Sequence, residues 1–279
     1  MVGDVVESIR SYYRTSPGYL SGPLQGTCHF GYTSEGQEFN LNSDFRAMEL
    51  LLAKKLDLPA GSIVFDGGCG FGRVATRLAL ESGLRVIGAD LTFERLQEAN
   101  RFTTARGVSN DVKLLNANYC QIPLSNASVD GVFTMETLVH ADPLEAALSE
   151  FKRVLRPGGK LAIFEYSAPR RESLDPMRKL LTDVMIKRTG MASMNSFYHG
   201  AFHGILQRAG FEHVQAEEIS KNVYPTWEWL FWRSIHHNWL NTIINGESGD
   251  FTNAIASLFI WPYRHQLGYN IVTATKPLE

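Results

Sequence analysis

Four glycines in six positions, Gly67, Gly68, Gly70 and Gly72, follow directly on Asp66 in the stretch FDGGCGFGRV. A turn this bare exposes backbone N–H groups and lets a ligand come close to the main chain. The spacing is G-x-G-x-G; the dinucleotide pattern sets its third glycine further on, and no Gly-Lys-Ser/Thr follows to hold a triphosphate. With an acid leading it, the turn suits a ligand that has a cationic amino acid portion and no pyrophosphate. Asp66 would fix the ammonium, and Gly68, Gly70 and Gly72 would line the amino acid and the sugar. Eighteen residues after Gly72, Asp90 closes the apolar run RVIGAD, where a carboxylate can accept both hydroxyl protons of a ribose. Taken singly, the glycines suit a tight turn and Asp90 a helix N-cap; their order in the sequence favours a nucleoside site.

Those residues need elements that deliver them to one edge. SIVFDG reads as a buried strand, GRVATRLALE as a helix, RVIGADL as a strand and FERLQEANRFTTAR as a helix after Thr92. VKLLNAN and VDGVFTME are further strands. In DPLEAALSEFKRVL, Asp142 predicts the N-cap, Pro143 the first helical position and Glu145 the capping box; RPGG stops the helix and KLAIFEY is the next strand. Upstream, DFRAMELLLAKKL is helical after a cap at Ser43. Strands separated by single helices pair in parallel through right-handed crossovers, which predicts an α/β fold with a doubly wound, mostly parallel sheet. Later, SFYHGAFHGILQRAGF reads as a helix, EHVQAEEI and YNIVTATKP as strands, and YPTWEWLFWRSIHHNWLNTII as an aromatic helical insertion. The expected organisation is an N-terminal lid segment over 1–42, a core over 43–168, and 169–279 as cap helices with the last strands. The cap, residues 170–200 and 220–262, is expected over the carboxyl edge of the sheet, where open parallel sheets bind ligands.

The 279 residues are 44% hydrophobic and carry a formal charge of −2. That is enough for one large core, with no basic excess for a nucleic-acid backbone. No stretch has the length of a membrane span or the pattern of a secretion signal. Cys28, Cys69 and Cys120, an odd set without C-x-x-C spacing, predict reduced thiols in a cytoplasmic protein.

VFDGGCGFG and VIGADL, together with a segment ending in RVLRPGG, resemble the first, second and post-strand motifs of the class I S-adenosylmethionine-dependent methyltransferases. The resemblance implies a Rossmann-like fold and S-adenosylmethionine as methyl donor, leaving S-adenosylhomocysteine. It places Asp66, Gly68, Gly70, Gly72, Asp90 and Leu91 along the donor, Asn118 and Tyr119 beside the adenine, and Glu136 with Thr137 on the floor near the methyl group. Asn118 stands where many members carry Asp; its carbonyl can meet the adenine amino group. ANYCQIPL, METLVHADP and IFEY, with HFGY upstream, are similar to segments of the C-methyltransferases that act on the alkenes of sterols and other terpenoids. The aromatic–glycine motif of that group is partly present, as GPLQGTCHFGY.

An alkene acceptor attacks as a π nucleophile and leaves a carbocation, so it needs aromatic faces or a carboxylate and then a base; a hydroxyl or amine needs a base at the outset. His140, after the fourth strand, fits either case. Glu165, ending the fifth, could face a cation, and Tyr198 is the third candidate catalytic residue. Tyr224, Trp227, Trp229, Phe231 and Trp232 form a hydrocarbon lid or simply pack the cap, against the sheet or against a second subunit in a homo-oligomer. Tyr12, Tyr13, Tyr19, His29 and Phe30 close over the donor or anchor a first helix. His199 and His203 share one face of the expected helix at a metal-like spacing, but no carboxylate completes a set, so no metal is expected. The expected reaction is C-methylation of the alkene of an apolar, prenylated small molecule, with O- or N-methylation of a phenol or amine, or a donor-binding scaffold, as rivals.

Overall fold

The computed structural model describes residues 6–11, 24, 26–233, 261 and 263–279. Tyr12, Tyr13, Tyr19 and the stretch 234–260 of the expected cap lie outside these residues. The core begins with α1 (Leu41–Leu56), then alternates through β1 (Ile63–Gly67), α2 (Arg73–Ser82), β2 (Arg85–Asp90), α3 (Phe93–Ala105), β3 (Val112–Asn116), β4 (Val129–Met135), α4 (Leu144–Val154) and β5 (Leu155–Ser167). After β5 come α5 (Pro176–Thr189), α6 (Ala201–Arg208), β6 (Glu212–Glu218), α7 (Ser220–Arg233) and β7 (Gly268–Thr275).

The strands form one sheet in the order β3-β2-β1-β4-β5-β7-β6. The first five are parallel, and β7 runs antiparallel to both β5 and β6. The order reverses between β1 and β4, whose carboxyl ends therefore leave a crevice for a ligand. Both faces are covered. Phe151 of α4 and Phe202 of α6 join the core on one face, and Met48, Leu52 and Leu56 of α1, Leu78 of α2 and Trp227 of α7 join it on the other.

Three helix starts differ from the sequence reading. Asn40, not Ser43, caps α1: its Oδ1 accepts from Ser43 N at 3.1 Å, and the helix begins three residues earlier. Pro143 holds the cap position of α4 in an extended conformation and brings no capping oxygen, so Asp142 is not the cap and the box with Glu145 does not form. Gly200, at φ +78°, starts α6, which leaves His199 ahead of the helix and off the face of His203. His199 pairs instead with Ser167 Oγ through Nδ1 at 2.9 Å and with Gln266 O through Nε2 at 3.1 Å. Of the aromatic insertion, Trp227 is buried core while Trp232 is exposed. Among the described residues, no helix is long and apolar enough to cross a membrane.

Candidate active site

Asp66 is the fourth residue of β1 and is buried at its carboxyl end. Its Oδ2 has no hydrogen-bond partner among the described residues, and burial, reinforced by Asp90, pushes its carboxyl well above the usual carboxylate range. A buried oxygen left bare costs stability, and a cation beside it would offset that cost. The turn that follows is tied to β2: the N–H groups of Gly68 and Cys69 both donate to Ala89 O, at 2.9 and 3.0 Å. Gly68 adopts φ +97°, and a Cβ there would lie 2.6 Å from Thr137 Cγ2, so the position takes glycine alone. Gly72, at φ +69°, is the N-cap of α2. Asp90 braces the turn from β2, accepting from Gly70 N at 2.9 Å and from Thr92 N at 2.8 Å, one bond to each oxygen. Each oxygen retains acceptor capacity for a hydroxyl proton.

Glu136 follows β4 in the left-handed region, φ +58°, with its N–H donating to Phe164 O. Its carboxylate accepts from Phe30 N at 2.7 Å and Tyr269 Oη at 2.8 Å on Oε1, and from Tyr166 Oη at 2.5 Å on Oε2. Phe30 meets the rings of Tyr166, Trp227 and Tyr269 edge-on, with centroids 5.8, 5.7 and 5.9 Å away. Burial in this shell raises the Glu136 carboxyl, and the three donors act against the rise. His140 ends the short turn Leu138–His140; its Nδ1 lies 3.1 Å from Gly190 O and so donates there, which makes Nε2 the acceptor of the ring. Burial lowers His140 to about 4, so its imidazole is neutral at physiological pH. Tyr119 donates through its hydroxyl to Thr137 O at 2.7 Å, locking the wall between the two ends.

One cleft, with room of about 80 Å³ for the centres of water molecules, is walled by Asp66, Gly68, Gly70, Asp90, Leu91, Tyr119, Glu136 and His140. Four other residues singled out from the sequence lie off that wall. Gly72 acts behind it, by starting α2. Asn118 accepts from Cys120 N through its carbonyl at 2.8 Å, closing its own turn, and its neighbours Ala117 and Tyr119 face the cleft. Glu165 is wholly buried: β5 extends beyond the end of β4, and the carboxylate accepts from Val139 N and Tyr166 N, both at 3.1 Å, beneath the Leu138–His140 turn. Burial raises it to about 8. Tyr198 lies under the Arg170 guanidinium, 3.6 Å from its ring centroid, and is not among the residues that wall the cleft.

Cleft residues that the sequence reading did not single out include Cys28 and Arg95. Arg95 is buried, with its guanidinium 4.6 Å from the ring centroid of Phe71. It stands in the first turn of α3, the helix end that disfavours a cation, and that misfit was the available signal. Tyr269 gave none, because it meets Glu136 across 133 positions of sequence.

The parallel sheet, the bare turn after β1 and the acid closing β2 define a class I methyltransferase scaffold. Residues 65–163 match the family model described as a methyltransferase domain, and the protein belongs to the S-adenosylmethionine-dependent methyltransferase family. It is 30% identical to the S-adenosyl-L-methionine-dependent Diels-Alderase iccD of Talaromyces variabilis, over 97% of this sequence and 95% of that one. It is 27% identical to the sterol 24-C-methyltransferase ERG6B of Gibberella zeae, over 80% of this sequence and 58% of that one. The solved [4+2]-cyclase SpnF shares the fold, with a TM-score of 0.77 at 22% identity over 99% of this sequence and 94% of that one. The residues fit the donor of this family: the unpartnered Asp66 oxygen suits its ammonium, the bare glycine turn its backbone-facing edge, and Asp90 its ribose.

Proposed function

We propose that the protein is a C-methyltransferase that methylates the alkene of an isoprenoid small molecule and shelters the carbocation that results. When bound along Asp66–Gly72 and Asp90, S-adenosylmethionine supplies an electrophilic methyl group. The observation that carries the reading is Glu136: a carboxylate on the cleft wall, fixed by Phe30, Tyr166 and Tyr269 and shielded from water by aromatic rings. A fixed anion in an apolar surround stabilises a developing cation far better than water does, because it needs no reorganisation.

His140 separates alkene from phenol. A phenol releases its proton near pH 10, so passing it to an imidazole of about 4 is uphill by roughly 8 kcal/mol. A proton adjacent to a carbocation is lost so readily that a weak neutral base suffices, and Nε2 of His140 is that base. A second reading has one specific support, the full-length likeness to a protein named a Diels-Alderase. In that reading the cleft folds a polyene for cycloaddition, and no methyl group moves.

The test is incubation with methyl-labelled donor and a panel comprising geranyl diphosphate, squalene, a sterol with an alkene in its tail, and a simple phenol. Label on an isoprenoid carbon is the expected result, falling at least about 100-fold in Glu136→Gln while S-adenosylhomocysteine still binds. Label only on phenolic oxygen would overturn the proposal. A polyene converted to an isomer of unchanged mass would establish the second reading instead.

A further inference from the structure

Resting on the role just given to Glu136, we propose that His29 is held as a buried imidazolium whose charge keeps the Glu136 carboxylate ionised, which makes His29 a positioning residue of the reaction. His29 is 6% exposed and lies on the cleft wall. Its Nδ1 is 2.9 Å from Phe30 O and its Nε2 is 3.3 Å from Glu49 Oε1. A carbonyl and a carboxylate only accept, so both ring nitrogens must carry hydrogen, and a ring with two N–H groups is a cation.

Glu49 is itself anchored. It is 2% exposed, and its Oε2 accepts from Arg77 Nε at 2.5 Å. Arg77 and Arg46 each donate to Glu81, both at 2.6 Å, so charges of alternating sign run from the cleft wall across α1 and α2 to the surface. On the inner side, Phe30 joins the two groups through its own backbone: its C=O faces the imidazolium and its N–H donates to Glu136. The Phe45 ring meets the imidazole edge-on, with centroids 5.4 Å apart, and shuts off water.

The charged and titratable neighbours favour this assignment. Glu49 from α1 and Glu136 after β4 face His29, with Cys28 next to it in sequence. Burial works most strongly against the charged ring, but Glu49, the Phe30 carbonyl and Glu136 together outweigh it and leave His29 above its ordinary range. Around Glu136 stand Tyr166 and Glu165 from β5, Tyr269 from β7, and His29. Burial is what opposes ionisation of Glu136; the Phe30 N–H and the two phenol hydroxyls donate to the carboxylate and favour its charge, and the His29 cation adds to their side.

The experiment is ¹⁵N NMR of the histidine rings and ¹³C NMR of the glutamate carboxyls in the full-length protein with S-adenosylhomocysteine bound. Signals of His29 are assigned by their loss in His29→Gln, and those of Glu136 by their loss in Glu136→Gln. Two protonated ring nitrogens on His29 at pH 7 are expected, with loss of the second proton at lower pH in Glu49→Gln. In His29→Gln, the Glu136 carboxyl titrates about one pH unit higher. A neutral His29 ring at pH 7, or an unmoved Glu136 titration in His29→Gln, overturns the proposal. If His29→Gln does not fold, the wild-type ring spectrum and Glu49→Gln decide. Unmoved titrations would remove this role and leave the methylation reading intact, whereas no transfer to any alkene would remove that reading and leave the titrations standing.

Discussion

At its donor end the cleft takes everything from two neighbouring strands, the turn after β1 and Asp90 at the end of β2, joined by the bond from Gly70 N to Asp90. At its other end it takes Glu136 from after β4, held from behind the wall by Phe30 from ahead of α1, Tyr166 from β5 and Tyr269 from β7. The first end is a backbone device: glycines in conformations closed to other residues, with one acid as brace. The second is built of side groups that meet because β7 is inserted beside β5, so that Tyr166 and Tyr269 pair across the antiparallel ladder. A family can keep the first and vary the second, and with it the reaction.

If that contrast holds, damage to the donor end destroys binding and damage to the Glu136 end spares it. The largest effect is expected from Gly68→Ala. The new methyl group meets Thr137 at 2.6 Å in a conformation closed to alanine, a cost of about 3 kcal/mol or more. Calorimetry should find S-adenosylhomocysteine bound at least roughly 100-fold more weakly; affinity within threefold of wild type would break the contrast. Asp90→Asn comes next, since it removes the charge that accepts from Gly70 and Thr92. About 2 kcal/mol and roughly 30-fold in the same titration are expected.

Glu165→Gln sharpens the comparison through stability. The folded protein holds the Glu165 proton up to about pH 8, while the unfolded protein releases it near 4.5. Stability is therefore present at low pH and lost as pH rises through that window. His140 has the opposite slope, because the unfolded ring binds a proton between about 4 and 6.5 that the folded ring refuses. Above pH 6.5 the His140 slope is spent, and the imidazolium of His29 falls off in the same direction as Glu165. Urea titrations at pH 6.5 and pH 8 should show wild type losing on the order of 1 to 2 kcal/mol more stability than Glu165→Gln across that interval. The smallest effect is expected from Tyr198→Phe. Its ring contacts Arg170 and lies off the cleft, so donor affinity and turnover should stay within about twofold, and a tenfold fall in turnover would return Tyr198 to the site.

The sheet strands, the helices between them and the donor turn were legible in the sequence because their signals are local. Hydrophobic period selects strand or helix within a few residues, and a backbone that must turn with φ above zero selects glycine at Gly68, Gly70 and Gly72. Helix starts were less legible: Asn40 and Ser43 are both good caps, and Pro143 suits both the cap and the first turn. What Glu136, Glu165 and Asn118 do was decided only in three dimensions. One strand too long for its neighbour buries Glu165 under a backbone turn, an Asx turn ties the Asn118 carbonyl to Cys120 N, and the order β5-β7-β6 brings Tyr269 to Glu136. The environment of a carboxylate is set by whatever the sheet order packs around it, and a partner more than a hundred residues away leaves no mark in the local pattern.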